Sequence, residues 1–153
     1  MTRDARRKIW IRRAAIFCLL AYSGCLLYWM FLGFGRTVRH DLPMRSNLVP
    51  LRTVWYYLSA DGGLSMAARL VNLLGNVAVF VPVGMLVPLA TGRLLSPVRL
   101  AVLFIPCIAA LEILQMVLRI GSFDVDDILL NLLGVWTGFG LLRLSGITRI
   151  RRL

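Results

Sequence analysis

Seven polar side chains interrupt apolar segments of the chain, and their types could support chemistry. They fall into three groups with helical spacing: Asn72 with Asn76, Glu112 with Gln115, and Asp124 with Asp127 and Asn131. Residues three, four or seven positions apart lie on one face of a helix. Carboxylates on such a face can act as general bases, hold a hard divalent cation such as Mg²⁺, Ca²⁺ or Mn²⁺, or pair with an amine.

The apolar surroundings make the acidic members of these groups informative. A carboxylate near the centre of a membrane-spanning helix costs about 2.5–3.5 kcal/mol on insertion scales. Interhelical hydrogen bonds contribute only about 0.6–2 kcal/mol each, so the amides could serve packing as well as binding. Stability alone would favour apolar residues over Glu112, Asp124 and Asp127, and we expect these three to be functional. Asp126 points elsewhere and is expected to cap the N-terminus of its own helix.

The apolar composition of the chain indicates which secondary-structure elements position these side chains. The 153 residues are 59% hydrophobic and 16% charged, with a mean hydropathy of +0.78, whereas soluble chains average about 45–50% apolar and 25% charged. This composition excludes a disordered chain, a disulfide-stapled secreted domain and an ordinary cytosolic enzyme. About 20 apolar residues cross a bilayer, and the chain has four such segments, at residues 14–34, 70–90, 98–118 and 125–144. We predict an all-α fold, a four-helix transmembrane bundle.

The depth of the polar residues predicts where they meet. Asn76, Glu112 and Asn131 each lie six residues from the outer end of a predicted span. At 1.5 Å per residue, all three lie roughly 9 Å below the same membrane surface. We therefore expect a polar pocket between the second, third and fourth spans, open on the side away from the chain termini.

The cations predict the orientation of the bundle. The chain has 18 Lys and Arg against 7 Asp and Glu, and many of the cations flank the spans at residues 1–13 and 145–153. Positive residues near span ends favour the cytoplasmic side, so we expect both termini in the cytoplasm and the protein in the bacterial cytoplasmic membrane. Binding of nucleic acid is not expected. Neither the three cysteines nor His40 has metal-ligand spacing, and no cofactor is predicted.

The loop between the first two spans contains a second amphipathic signal. Leu51, Val54, Trp55 and Leu58 recur at positions i, i+3, i+4 and i+7. This pattern predicts a short helix that lies in the membrane interface, where Trp and Tyr are favoured.

Small residues and prolines predict how the spans pack. Gly134 and Gly138 form a GxxxG motif, which allows close approach to a neighbouring helix or, in a homodimer, to a second copy. Phe80, Pro82 and Gly84 lie deeper than the polar groups and are expected to shape the second span.

Four short motifs, in this order, resemble the VanZ-like family of bacterial membrane proteins. They are Asn47-Leu48-x-Pro50, Gly75-Asn76-x-x-x-Phe80-x-Pro82-x-Gly84, Glu112-x-x-Gln115 and Gly121-x-Phe123-Asp124-x-Asp126-Asp127-x-x-x-Asn131-x-x-Gly134. The resemblance covers about residues 45–140 and adds Asn47 to the expected pocket. It implies an envelope protein from a family whose founding member is linked to low-level teicoplanin resistance. Many relatives carry an arginine where this chain has Ser122. Any contact that an arginine at this position would make with an anion is therefore not expected in this chain.

Three functions are compatible with this pattern. The first is binding of a lipid-linked precursor or an amphiphilic glycopeptide in the outward pocket. The second is an intramembrane hydrolase or transferase acting on a lipid phosphate, with Glu112 as general base and with Asp124 and Asp127 holding a divalent cation. The third is a small flippase or proton-coupled transporter.

Overall fold

The computed structural model describes residues 3–33, 38, 43–59, 63–93 and 96–146. Within these ranges the chain forms five helices and two short strands: α1 (Arg3–Phe31), β1 (Ser46–Asn47), α2 (Arg52–Leu58), α3 (Met66–Thr91), α4 (Pro97–Val117), β2 (Phe123–Asp124) and α5 (Val125–Leu144). α1, α3, α4 and α5 are long and apolar enough to cross a membrane. The predicted all-α bundle is confirmed. The expectations for His40 and for residues 147–153 lie outside the described ranges.

Capping residues explain where the helices begin. Ser65 and Ser96 accept hydrogen bonds from the backbone N–H groups of Ala68 and Arg99, which caps α3 and α4. α1 begins at Arg3 rather than at residue 14. Its basic and alanine residues are good helix formers, so the helix extends beyond the apolar segment.

The end of α4 has an unusual backbone conformation. Arg119 has a φ of 56°, in the left-handed region that favours glycine. Its N–H donates to the carbonyl of Met116, and the N–H of Ile120 donates to the carbonyl of Gln115. These two bonds form a Schellman cap in which arginine takes the position that glycine usually occupies.

Glycines bring α3 and α5 together within the chain. A Cβ added at Gly134, Gly138 or Gly84 would overlap a backbone carbonyl oxygen of the facing helix. The GxxxG face is therefore covered by α3 of the same chain, and a homodimer stays a prediction. Phe80 is buried in this core, and α3 continues as a helix through Pro82.

Polar contacts dock α1 and α4 along the bundle. The Tyr22 hydroxyl of α1 donates to the Val79 carbonyl at 2.8 Å, and Arg12 Nε donates to the Ala90 carbonyl at 3.0 Å. Gln115 Nε2 of α4 donates to the Met30 carbonyl at 2.8 Å. α1 and α4 therefore end at the same end of the bundle at which α3 and α5 begin. We call it the α2 end, because α2 also lies there.

Large apolar side chains cover the outer surface of the bundle. Phe17, Leu20, Val98 and Val102 are all exposed. On α2, Trp55 is 71% exposed and Leu58 is also exposed, so the apolar stripe of α2 points away from the bundle. These surfaces suit lipid rather than water, as the composition predicts.

We predict that Gly138→Ala lowers the free energy of unfolding by about 1–3 kcal/mol, the usual penalty for overpacking. The added methyl group would overlap the carbonyl oxygen of Val81. Gly140→Ala is the matched control, since nothing lies within 4 Å of a Cβ there. Reversible unfolding in mixed detergent micelles measures both variants, and equal losses would contradict the proposed packing.

Candidate functional site

A polar cavity of about 270 Å³ lies at the α2 end of the bundle. Its lining includes seven of the eight residues expected from the sequence: Asn72, Asn76, Glu112, Gln115, Asp124, Asp127 and Asn131. They come from α3, α4 and α5 and from the short strand that precedes α5. We call this space the α2 cavity, because Thr53 and Tyr57 of α2 also line it.

The eighth expected residue, Asn47, supports the cavity from outside its lining. Asn47 lies in β1, which pairs in parallel with β2, so that Asn47 is opposite Asp124. Asn47 Nδ2 donates to Asp124 Oδ1 and to Thr53 Oγ1, each at 3.1 Å. A two-residue strand pair gives little local signal, so the strand at Asn47 is not predicted by the sequence.

Asp124 has a structural role that its position in the sequence did not reveal. It is the N-cap of α5, where Oδ1 accepts from the N–H of Asp126 at 2.9 Å. Its other oxygen accepts from the Thr53 hydroxyl. Both carboxylate oxygens therefore hold neighbouring segments in place.

The contacts of Asp126 differ from those predicted from the sequence. The prediction that Asp126 caps α5 is wrong, because Asp124 does so and Asp126 is 0% exposed. The carboxylate of Asp126 instead accepts from the backbone N–H groups of Leu51, Thr53 and Val54. Asp126 is therefore the anion that caps α2, where a negative charge also complements the helix dipole.

Two amide side chains tie the cavity walls together, and a third is bonded within its own helix. Asn76 Nδ2 of α3 donates to Asp127 Oδ1 of α5. Gln115 joins α4 to α1 through the carbonyl of Met30. Asn72 is exposed and donates to the Ala68 carbonyl of its own helix at 2.7 Å. These contacts give the amides the packing role that the sequence allowed for them.

Glu112 and Asn131 form the buried floor of the cavity. Glu112 is 4% exposed and Asn131 is 3% exposed. Asn131 Oδ1 is buried without a hydrogen-bond partner in the described part of the chain. A buried acceptor without a partner lowers the stability of the fold by about 1–3 kcal/mol. A donor from outside the protein would therefore stabilise this oxygen.

Hydroxyl groups of Thr53, Tyr57 and Ser122 also line the cavity. The sequence prediction missed the two on α2. Thr53 and Tyr57 are four residues apart and so share a face of α2, away from its apolar stripe; this spacing could have revealed them. Burial raises the pKa of Tyr57 above its usual 10.0, and Asp127 and Asp124 raise it further. The phenol is therefore protonated at neutral pH and can donate.

The acidic residues that the structure describes form no cluster with the donor set of a metal site. Among the residues that the structure describes, no three Asp, Glu, His or Cys side chains converge as metal ligands. Asp124 uses both oxygens within the protein, and Asp127 accepts from Asn76. The carboxylates suit hydrogen-bond donors of a ligand better than they suit a shared divalent cation.

Comparison with protein families identifies a relationship over most of the chain. A family model described as VanZ/LLP1 matches residues 17–146, a range that includes every residue of the α2 cavity named above. No curated protein and no solved structure matches the chain.

We predict that Asp126→Ala loosens α2 without unfolding the bundle. The N–H groups of Thr53 and Val54 would each lose a hydrogen bond to a charged acceptor, which is worth about 1.5–3 kcal/mol. Their amide exchange should accelerate by at least about tenfold. Hydrogen–deuterium exchange of detergent-solubilised protein measures this, with Asp4→Ala on the exposed first turn of α1 as control. Unchanged exchange in α2 would contradict the capping role.

Proposed function

The chain belongs to the VanZ/LLP1 family, and we propose that it binds the amine-bearing polar headgroup of an amphiphile in the α2 cavity. It is a multi-pass membrane protein, with four helices long and apolar enough to span a bilayer. The proposal places it in the bacterial cytoplasmic membrane with both termini in the cytoplasm. The ligand is then a lipid, a lipid-linked envelope precursor or an amphiphilic glycopeptide.

The observation that carries the proposal is the unpartnered oxygen of Asn131. This acceptor lies in a cavity that also contains Glu112 and Asp127. An ammonium group supplies three donors and a positive charge, which complements the amide oxygen and the carboxylates together. A ligand group with only negative charge would be repelled by the same carboxylates.

The size of the cavity limits what enters it. At about 270 Å³, it is smaller than the roughly 300–1,000 Å³ of sites for drug-sized ligands. A headgroup fits this space, and only the amine-bearing part of a glycopeptide would fit. The rest of the ligand has to remain outside.

The position of α2 explains why the ligand would be amphiphilic. Thr53 and Tyr57 point to the cavity, while Trp55 and Leu58 are exposed on the outer surface of the same short helix. A headgroup in the cavity would leave its acyl chain beside this apolar surface. The polar part of the ligand would thus lie in the cavity, and its apolar part would lie next to it, beside the outer surface of α2.

Charge distribution supports the outward orientation. Arg3, Arg6, Arg7 and Lys8 begin α1, and Arg93 precedes α4, all at the end opposite the α2 cavity. Because cations near span ends favour the cytoplasm, the α2 cavity would face outward. There, a protein that holds a precursor headgroup or the amine of an antibiotic would reduce the access of a teicoplanin-type antibiotic to its target, which is the proposed link to resistance.

Binding is favoured over the two alternatives by specific contacts. A hydrolase would need Asp124 and Asp127 as metal ligands, whereas both carboxylate oxygens of Asp124 hold neighbouring segments of the protein in place. A transporter would need a polar path through the other half of the bundle. The buried side chains described there include Val83, Val87 and Phe139, and these offer no partner to a polar ligand.

We predict that Asn131→Leu and Glu112→Gln each weaken binding of a long-chain primary amine by at least about tenfold, the factor for one hydrogen bond to a charged group. Native mass spectrometry of detergent-extracted protein, titrated with the amine and with the alcohol of equal chain length, measures this. The alcohol should bind the wild type more weakly than the amine.

The control is Thr137→Val, which changes an exposed hydroxyl of α5 bonded to its own helix and outside the lining of the α2 cavity, and which should retain binding. Asn131→Leu should also leave thermal stability unchanged or raise it, because it removes a buried acceptor without a partner. Strong destabilisation by Asn131→Leu with amine binding intact would show that Asn131 serves packing alone.

A further inference from the structure

Two cavities lined by arginine adjoin the α2 cavity. One, of about 220 Å³, is lined by Arg45 and Arg119 together with Gly121 and Ser122. The other, of about 300 Å³, is lined by Arg45 and Arg52 together with Thr53 and Ser122. We call this pair of cavities the arginine mouth. Ser122 lines both of them and the α2 cavity as well, so the three spaces meet at this residue.

Opposite charges therefore lie on the two sides of Ser122. The inner side has Glu112, Asp127 and the unpartnered oxygen of Asn131. The outer side has the guanidinium groups of the arginine mouth. Guanidinium groups match phosphate oxygens in geometry and charge, and they bind them with two parallel hydrogen bonds. A phosphate would be attracted to the outer side and repelled from the inner side.

The depth of the arginine mouth also suits a lipid phosphate. Arg119 follows the end of α4, and Arg52 begins α2. Both positions are at the end of the membrane-spanning segments, where lipid headgroups lie. The arginines thus flank the entrance that an ammonium group would pass on its way to Asn131.

We propose that the arginine mouth and the α2 cavity bind one zwitterionic headgroup, a phosphoester that carries a primary ammonium a few bonds away. The phosphate lies between Arg45 and Arg119, and the ammonium reaches Glu112 and Asn131. This inference rests on the proposed function, which it deepens by naming the headgroup. It also assigns an anion contact to Arg45 and Arg119.

Two simpler roles for the arginines would give different results. If they only balance the charge of Asp124 and Asp127, neutralising them would destabilise the protein without changing lipid preference. If they attract any anionic surface, a lipid with a phosphate but no amine would bind as tightly as the zwitterion. Lipid selectivity and stability, measured on the same variants, separate these cases.

The backbone at Arg119 offers a clean variant. Because Arg119 has a left-handed conformation, glycine fits its place in the cap without strain. Arg119→Gly therefore removes the guanidinium and keeps the left-handed backbone of the cap. Arg45→Gln neutralises the second arginine, and Arg99→Gln, exposed at the opposite end of α4, is the matched control for loss of one positive charge.

Native mass spectrometry with four probes tests the proposal: phosphatidylethanolamine, phosphatidylglycerol, a long-chain primary amine without phosphate, and free phosphoethanolamine. Wild type should bind phosphatidylethanolamine most tightly. Arg45→Gln and Arg119→Gly should each weaken its binding by at least about tenfold, the factor for one hydrogen bond to a charged group, and should bind the amine as wild type does. Arg99→Gln should change neither, and Glu112→Gln should weaken both.

The outcomes separate this inference from the proposed function. Unchanged phosphatidylethanolamine binding by both arginine variants, or phosphatidylglycerol bound as tightly by the wild type, would overturn the phosphate site while amine binding still supports the proposed function. Failure of the wild type to bind the amine would overturn the proposed function itself. Free phosphoethanolamine that binds as tightly as the lipid would overturn a lipid as the source of this headgroup.

Discussion

Polar groups inside a bilayer must find partners within the protein, and this constraint organises the α2 end of the bundle. Asp126, fully buried, meets it by accepting three backbone N–H groups of α2. Asp124 meets it through Asn47, Thr53 and its own helix. Asn131 Oδ1 is the exception among the buried side-chain atoms described. The proposed function rests on this contrast between the satisfied polar groups and the one acceptor left over.

The polar side chains at the α2 end therefore have two kinds of position. Asp124 and Asp126 hold α2, β1 and the start of α5 in fixed positions, and their bonds are all directed within the chain. Glu112 and Asn131 lie on the floor of the cavity that these segments cover. The close glycine packing of α3 on α5 keeps Asn76 beside Asp127 and so fixes the wall between them. Support of this kind gives the small cavity a defined shape before any ligand enters.

Helical spacing was enough to predict much of this arrangement. The common depth of Asn76, Glu112 and Asn131 follows from a rise of 1.5 Å per residue, and the structure places all three around one cavity. The role of Asp126 could not be predicted, because its partners lie more than 70 residues away and depend on tertiary contacts. The face of α5 that carries Gly134 was identified as a packing face, but the sequence could not say that α3 rather than a second copy covers it.

The proposed function depends most on the α2 cavity facing outward, and thiol labelling in intact cells tests this directly. Ser122 lines the cavity and is exposed, and Arg93 is exposed at the opposite end of α3. Each is replaced by cysteine after Cys18, Cys25 and Cys107 are changed to alanine, and a membrane-impermeant thiol reagent is added. We expect labelling of Ser122→Cys in intact cells and of Arg93→Cys only after permeabilisation. Labelling of Arg93→Cys alone in intact cells would contradict the outward orientation.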